Sequence, residues 1–272
     1  MNHNIKKILK ESILKKLIKY ISQKFQYNSF KGDFKNFNQI NSNLTPYDSN
    51  KIIKKVYVAY KATSKTSYLI DRDGEILFKK NQNFQLLEAI SKNLKNQKKN
   101  CIVDYGGSLA NFYRNNANYL KKLNLIWLVI DNNKICLIGK KKIKDNNIYF
   151  FKNLKLANQF LISRNIKVNI FLFGSSIQYL KNFEKLLSNI RSRGIKKILI
   201  DRQPVLKSKK TKFVIQKTPF WNGNFAYAVK LYNYQNLINL FRKYDFYLVK
   251  KFGAYGDQFK DGEYKSFIFE KK

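Results

Sequence analysis

Four short loops, each at the end of an apolar run, hold the residues of this chain whose types and spacing could do chemistry. Asp104-Tyr105-Gly106-Gly107-Ser108-Leu109-Ala110 follows the run Cys101-Ile102-Val103. Glycines there let a backbone turn sharply and approach a ligand closely, and a structural tight turn would use them equally well. Asp131 closes the run Leu125–Ile130. A carboxylate in that position can accept hydrogen bonds from ribose hydroxyls; the alternative is the first residue of an Asp-Asn-Asn turn. Taken together and in this order, the two features favour a nucleoside-containing cofactor. Gly174-Ser175-Ser176-Ile177-Gln178-Tyr179-Leu180 joins small hydroxyl residues, which permit close approach, to the hydrogen-bonding tips of Gln178 and Tyr179. A helix N-cap at Ser175 or Ser176 is compatible with that role. Asp201-Arg202-Gln203-Pro204 puts a carboxylate at the end of a further run, either as an ion pair with its neighbour or facing a substrate. Phe220-Trp221-Asn222-Gly223-Asn224-Phe225-Ala226-Tyr227 reads as a substrate lid or as a packing cluster.

Such loops converge only if the strands before them lie side by side. The runs at 101–103, 125–130, 148–150, 168–173 and 197–200 are continuously apolar, with helical stretches between them that include Asn111–Leu123 and Asn182–Arg193. That alternation predicts a mostly parallel sheet covered on both faces, a doubly wound α/β domain over residues 100–272. Tyr247–Val249 and Ser266–Phe269 suit an antiparallel edge. In such a sheet, ligands sit outside the carboxyl ends of the strands, where all four loops fall. Ahead of it, residues 28–99 read as an N-terminal extension or cap: an Asn-rich connecting loop to residue 50, a helix at 50–61, a hairpin over 68–78 turning at Asp73-Gly74, and a helix at 83–97. Residues 1–27 form a separate segment, whose 4–25 stretch has the pattern of a basic amphipathic helix. Lysines interrupt its apolar runs too often for it to span a bilayer. It packs on the main domain, rests on an anionic membrane surface, or serves as an organellar presequence.

Composition narrows the chemistry further. The chain has 272 residues, one His and two Cys. The lone His at position 3 excludes HExxH zinc chemistry and makes a Ser-His-Asp triad unattainable, and two distant cysteines exclude a disulfide scaffold. The formal net charge is +37, from 54 Lys and Arg against 17 Asp and Glu, yet only seven of the basic residues are Arg. Arg is the better residue for bidentate phosphate and base contacts. The abundance of Lys, Asn, Ile, Phe and Tyr is what an AT-rich genome would produce at neutral surface positions. The shortage of acids is not explained that way, so an anionic partner, nucleic acid included, stays open.

Several longer stretches resemble a family of bacterial S-adenosylmethionine-dependent methyltransferases associated with surface-polysaccharide gene clusters. They are FKGDF at 30–34, TPYDSNKI at 45–52, VDYGGSLANFY at 103–113, LIWLVIDNNKI at 125–135, LFGSSIQYL at 172–180, ILIDRQP at 198–204 and IQKTP at 215–219. The resemblance implies a Rossmann-like class I methyltransferase fold with a seven-stranded sheet whose last strand is antiparallel. It implies S-adenosylmethionine as cofactor, held by Asp104, Gly106 and Gly107 at its methionine end and by Asp131 at its ribose; Ser108, Ser175 and Ser176 are further candidate cofactor contacts. The family has Gly where Ala110 stands, Glu where Asp131 stands and Thr where Gln203 stands. The activity implied is in-line methyl transfer to a glycan or glycan precursor, in the cytoplasm or at the inner membrane face. Asp201 is the first choice for a general base, followed by Tyr179 and Tyr227. Two other readings compete with it: a basic RNA-binding or ribosome-associated protein of an AT-rich genome, and an inactive scaffold with the methyltransferase fold.

Overall fold

The computed structural model describes residues 30–40, 44–72, 74–78, 83–94, 100–218, 223–254, 259 and 261–272. The basic helix expected at 4–25, the turn residue Asp73 and Phe220–Asn222 of the aromatic loop lie outside them.

Five apolar strands form the centre: β4 (Asn100–Tyr105), β5 (Leu125–Ile130), β6 (Ile148–Phe151), β7 (Ile170–Gly174) and β8 (Lys197–Leu206). They run parallel in the order β6-β5-β4-β7-β8. The chain enters in the middle at β4, walks outward to β6, and returns to β7 on the other side of β4. The loops after β4 and β7 therefore leave in opposite directions, which opens a crevice between them. β11 (Phe246–Gly253) and β12 (Gly262–Lys271) complete one edge, with β12 antiparallel to both β8 and β11. These seven strands reproduce the sheet that the resemblance implies.

Alternate residues of the central strands face opposite sides, so both faces need a cover. Val103, Leu128, Phe171, Phe173 and Ile198 pack with the helices α6 (Leu154–Ser163), α7 (Phe183–Ser192) and α8 (Tyr234–Lys243). Ile102, Trp127, Val129 and Leu172 pack with Leu86, Ile90 and Leu94 of α2 (Phe84–Leu94), and with α5 (Asn133–Lys142) through Cys136. A helix from ahead of position 100 thus lies in the same core as the sheet. Gly139 lets α5 approach β6, because a Cβ there would sit 2.5 Å from the Phe150 ring.

The structure departs from the expectations in three places. The Asn-rich stretch read as a connecting loop contains β1 (Phe30–Phe34), which pairs antiparallel with β9 (Lys212–Lys217). β8 continues past Asp201, and its end pairs with β10 (Ala226–Asn233), which in turn pairs with β9; the sheet has ten strands. The helix expected over Asn111–Leu123 is divided into α3 (Asn111–Asn115), α4 (Ala117–Leu120) and a 3-10 turn. Asn116 causes that break: it leaves helical geometry at φ −117°, and its side chain donates to Phe112 O at 2.8 Å, competing with the helix ladder. The hairpin forms as expected from β2 (Leu69–Arg72) and β3 (Glu75–Phe78), a separate sheet beside α1 (Asn50–Thr63). No helix among the described residues is long and apolar enough to cross a membrane.

Candidate functional site

The loop after β4 is shaped by two glycines with different tasks. Gly106 has φ +77°, and a Cβ on it would lie 2.7 Å from Ser176 Cβ, so the β4 and β7 loops can meet only without a side chain there. Gly107 leaves room for the Asp104 carboxylate, which an added Cβ would overlap. Ala110, where the resembled family has Gly, sits in the left-handed region at φ +56° and is fully buried. That geometry costs an L-residue about 1–2 kcal/mol, the physical reason a glycine suits the position. Arg114 holds this loop in place: Nε donates to Leu109 O at 2.7 Å, Nη2 pairs with the buried Asp71 at 2.7 Å, and the guanidinium lies over Tyr60 at 4.7 Å. The hairpin and α1 are thereby fastened to the site.

Asp104 is buried, and Trp127 Nε1 donates to its Oδ2 at 3.1 Å. Burial raises its pKa to about 7; the Trp127 bond opposes the rise, and the charges of Asp131 and Asp201 add to it. Asp131 Oδ2 accepts the Ser108 N–H at 2.9 Å, and Oδ1 accepts from Asn132 N at 2.7 Å. Asn132 is also the N-cap of α5, accepting from Ile135 N. The Asp-Asn turn and a cleft-lining carboxylate therefore coexist at one position.

Across the crevice, Ser175 takes φ +51° and its N–H donates to Asp201 O at 2.8 Å. Ser176 Oγ donates to Tyr105 O at 2.8 Å, tying the β7 loop to the end of β4. Gln178, 1% exposed, donates to Ser175 O at 2.7 Å, and the Tyr179 hydroxyl donates to Gln216 Oε1 at 2.8 Å. Asp201 Oδ1 accepts from Asn83 Nδ2 at 2.6 Å and from Ser266 Oγ at 2.9 Å.

Two connected cavities cover these residues. A cleft of about 520 Å³ is lined by Gly106, Asp131, Ser175, Ser176 and Tyr179, with Tyr47, Lys152 and Tyr227. A smaller one of about 100 Å³ is lined by Asp104, Gly107, Ser108 and Asp201, with Arg72 and Asn83. Gly106, Gly174 and Ser175 line both. Asp201 and Tyr179 are thus not brought together. A roomier hollow, about 790 Å³, opens at the amino ends of β7 and β8 and holds none of the expected residues, so volume alone does not mark the site. Arg72, Asn83 and Lys152 are not singled out by the sequence, nor is Tyr47 itself, although Thr45-Pro46-Tyr47-Asp48 opens the stretch TPYDSNKI that carries part of the resemblance. That segment is a strap. Thr45 N donates to Ala226 O at 2.7 Å at one end, and Lys134 Nζ reaches Asp48 O at 2.9 Å at the other.

No protein-family profile and no curated protein sequence matches the chain. Among solved structures it is similar to the N-terminal domain of EvdMO1 in the presence of SAH and D-fucose, at 8% identity and a TM-score of 0.52, covering 82% of this chain and 100% of that one. It is also similar to an S-adenosylmethionine-dependent methyltransferase from Clostridium acetobutylicum ATCC 824, at 10% identity and a TM-score of 0.48, covering 80% and 98%. The glycopeptide N-methyltransferase MtfA complexed with SAH matches at 9% identity and a TM-score of 0.47, covering 69% and 89%. The chain has the α/β Rossmann-like fold of class I methyltransferases, extended by three strands and an N-terminal hairpin and helices.

Proposed function

We propose that the protein is an S-adenosylmethionine-dependent methyltransferase acting on a glycan or glycan precursor. The observation that carries this reading is the pair of cavities that meet at Gly106, Gly174 and Ser175 across the carboxyl ends of β4, β5 and β7. Their two ends differ in chemistry as the two ends of this cofactor do. The Asp131 carboxylate, at the end of β5, offers acceptor positions to ribose hydroxyls. Arg72 in the small cavity suits a carboxylate, while Asp104 and Asp201 suit an ammonium group. A Cβ placed on Gly174 would meet nothing within 4 Å, so the floor between the two ends is open. The larger cleft, at about 520 Å³, is within the range of small-molecule sites.

When bound, the cofactor supplies an electrophilic sulfonium methyl group, so the protein's task is chiefly to position the acceptor. Asp201 lies at the methionine end, hydrogen-bonded to Asn83 and Ser266, and serves there by its charge. Tyr179 and Tyr227 lie in the larger cleft, on the acceptor's side. The glycan assignment is supported by the resemblance in sequence and by a fold neighbour whose structure was determined in the presence of D-fucose.

Calorimetric titration with S-adenosylhomocysteine tests the reading. Binding in the micromolar range is expected, weakened at least about tenfold by Asp131→Ala, a loss of roughly 1.4 kcal/mol. Absence of heat at millimolar ligand would sink the proposal.

A further inference from the structure

The larger cleft has an aromatic wall that the cofactor assignment leaves unused. Tyr47, Tyr179 and Tyr227 come from three distant parts of the chain, and their ring centroids are 5.9, 5.7 and 5.7 Å apart pairwise. The rings are tilted or edge-to-face, so together they form one continuous corner of faces and edges. Each is anchored from outside the seven-stranded sheet. Tyr47 sits on the strap between Thr45 and Asp48, Tyr227 is on β10, and Tyr179 is held by its bond to Gln216 of β9. Tyr47 is 43% exposed, so the wall reaches the mouth of the cleft. Lys152, directly after β6, brings a cation to the same cleft from the opposite edge of the parallel sheet.

We infer that Tyr47, Tyr179 and Tyr227 form the acceptor platform and that it takes a saccharide carrying an anionic group. This rests on the methyltransferase reading for its biological role, but the binding itself does not. A pyranose ring has an apolar C–H face and a rim of hydroxyls. A tyrosine offers the matching pair, an apolar ring and a polar tip. A corner built from three such rings grips the face of one sugar and hydrogen-bonds its rim, and Lys152 adds attraction for phosphate or carboxylate. The net charge of +37 favours the same sign of ligand at longer range.

The test uses the full chain saturated with S-adenosylhomocysteine, and also without it, titrated with UDP-glucose, glucose 1-phosphate and neutral maltose, and followed by tyrosine fluorescence and calorimetry. The two anionic probes are expected to bind and maltose to bind more weakly. Tyr47→Ala and Tyr227→Ala should each weaken the anionic probes about tenfold or more and leave S-adenosylhomocysteine affinity within about twofold. Tyr47→Phe should retain most of the binding, and Lys152→Ala should lower the affinity for glucose 1-phosphate but not for maltose. Tyr47 is partly exposed, so its truncation leaves the core intact. Probe binding unchanged in both alanine variants would overturn the inference, as would no binding of any probe at about 10 mM. A tenfold loss of S-adenosylhomocysteine affinity in the same variants would overturn it too, because the wall would then belong to the adenosine. If the wild type binds the sugars but not S-adenosylhomocysteine, the platform stands and the methyltransferase reading falls.

Discussion

Asp104 is held where ionisation is disfavoured, enclosed in the core beside two other carboxylates, and it accepts one indole N–H. Its folded pKa of about 7 lies above the ordinary 3.8. The folded protein therefore holds this proton more tightly than the unfolded chain does. The resulting stability is complete below pH 4, is lost as pH rises toward 7, and is constant above that. The difference of about three units sets an upper bound of roughly 4 kcal/mol on this contribution. Asp104→Asn keeps an oxygen for Trp127 and removes the charge. Thermal unfolding of the wild type should lose ground to this variant between about pH 4 and 7 and run parallel to it at higher pH. Profiles that stay parallel across that interval would show that folding does not raise the pKa of Asp104. On the proposed function Asp104 attracts the ammonium group of the ligand only when ionised, so S-adenosylhomocysteine, which carries that ammonium, should bind more tightly at pH 8 than at pH 6, and Asp104→Asn should flatten the difference.

At the scale of elements, Arg114 joins the hairpin and α1 to the loop after β4. It pairs with Asp71, whose side chain is fully buried, and caps Leu109 O. Removing one partner of a buried pair leaves the other charge without compensation, which typically costs about 3–5 kcal/mol. Arg114→Ala should therefore lower the unfolding free energy by that order, measured by urea denaturation. The double variant Asp71→Asn/Arg114→Leu should recover much of the loss. Equal losses in the two variants would mean that the pair only fills space. The joint also shows which parts of the molecule could be read beforehand. β4, β5, β7 and the first half of β8 are covered on both faces, so their sequences are continuously apolar and legible. β9 (KFVIQK) and β10 (AYAVKLYN) interrupt their apolar residues with lysine or glutamine and are only partly buried. β1 (FKGDF) is mostly exposed, and its pairing depends on β9, which lies far along the chain. The glycines and acids at strand ends were legible because strand order alone brings them together. Asn83, Arg72 and Tyr47 were not, because they reach the site through contacts of long sequence separation. Asn83 lies 118 residues from its partner Asp201, and nothing in its own neighbourhood announces the contact.

For the whole molecule the dominant quantity is charge, and the acids are more informative than the lysines. Many of the acidic residues have definite partners: Asp71 with Arg114, Asp245 with Arg191, Glu270 with Lys197, and Glu184 with Lys243. Asp104, Asp131 and Asp201 line the candidate site. Many acids thus lie where they bond to something, while the excess lysines are spread over the surface, including Lys207, Lys209 and Lys210 together in one turn. Such a surface repels itself, and the repulsion weakens with salt as the screening length falls to about 10 Å at 0.1 M. The melting temperature should therefore rise as sodium chloride is increased from about 0.02 to 0.3 M, the opposite of what a fold held by exposed ion pairs would do. The same titration separates the readings of the charge. A protein built to hold RNA retains specific affinity at physiological salt, whereas adventitious phosphate contacts lose about three orders of magnitude or more between 50 and 200 mM. Affinity for S-adenosylhomocysteine, a ligand with no phosphate, should change less than about threefold over that range. RNA binding that stays tight at 0.2 M salt, with no S-adenosylhomocysteine affinity, would assign the charge to a nucleic-acid surface and refute the methyltransferase reading.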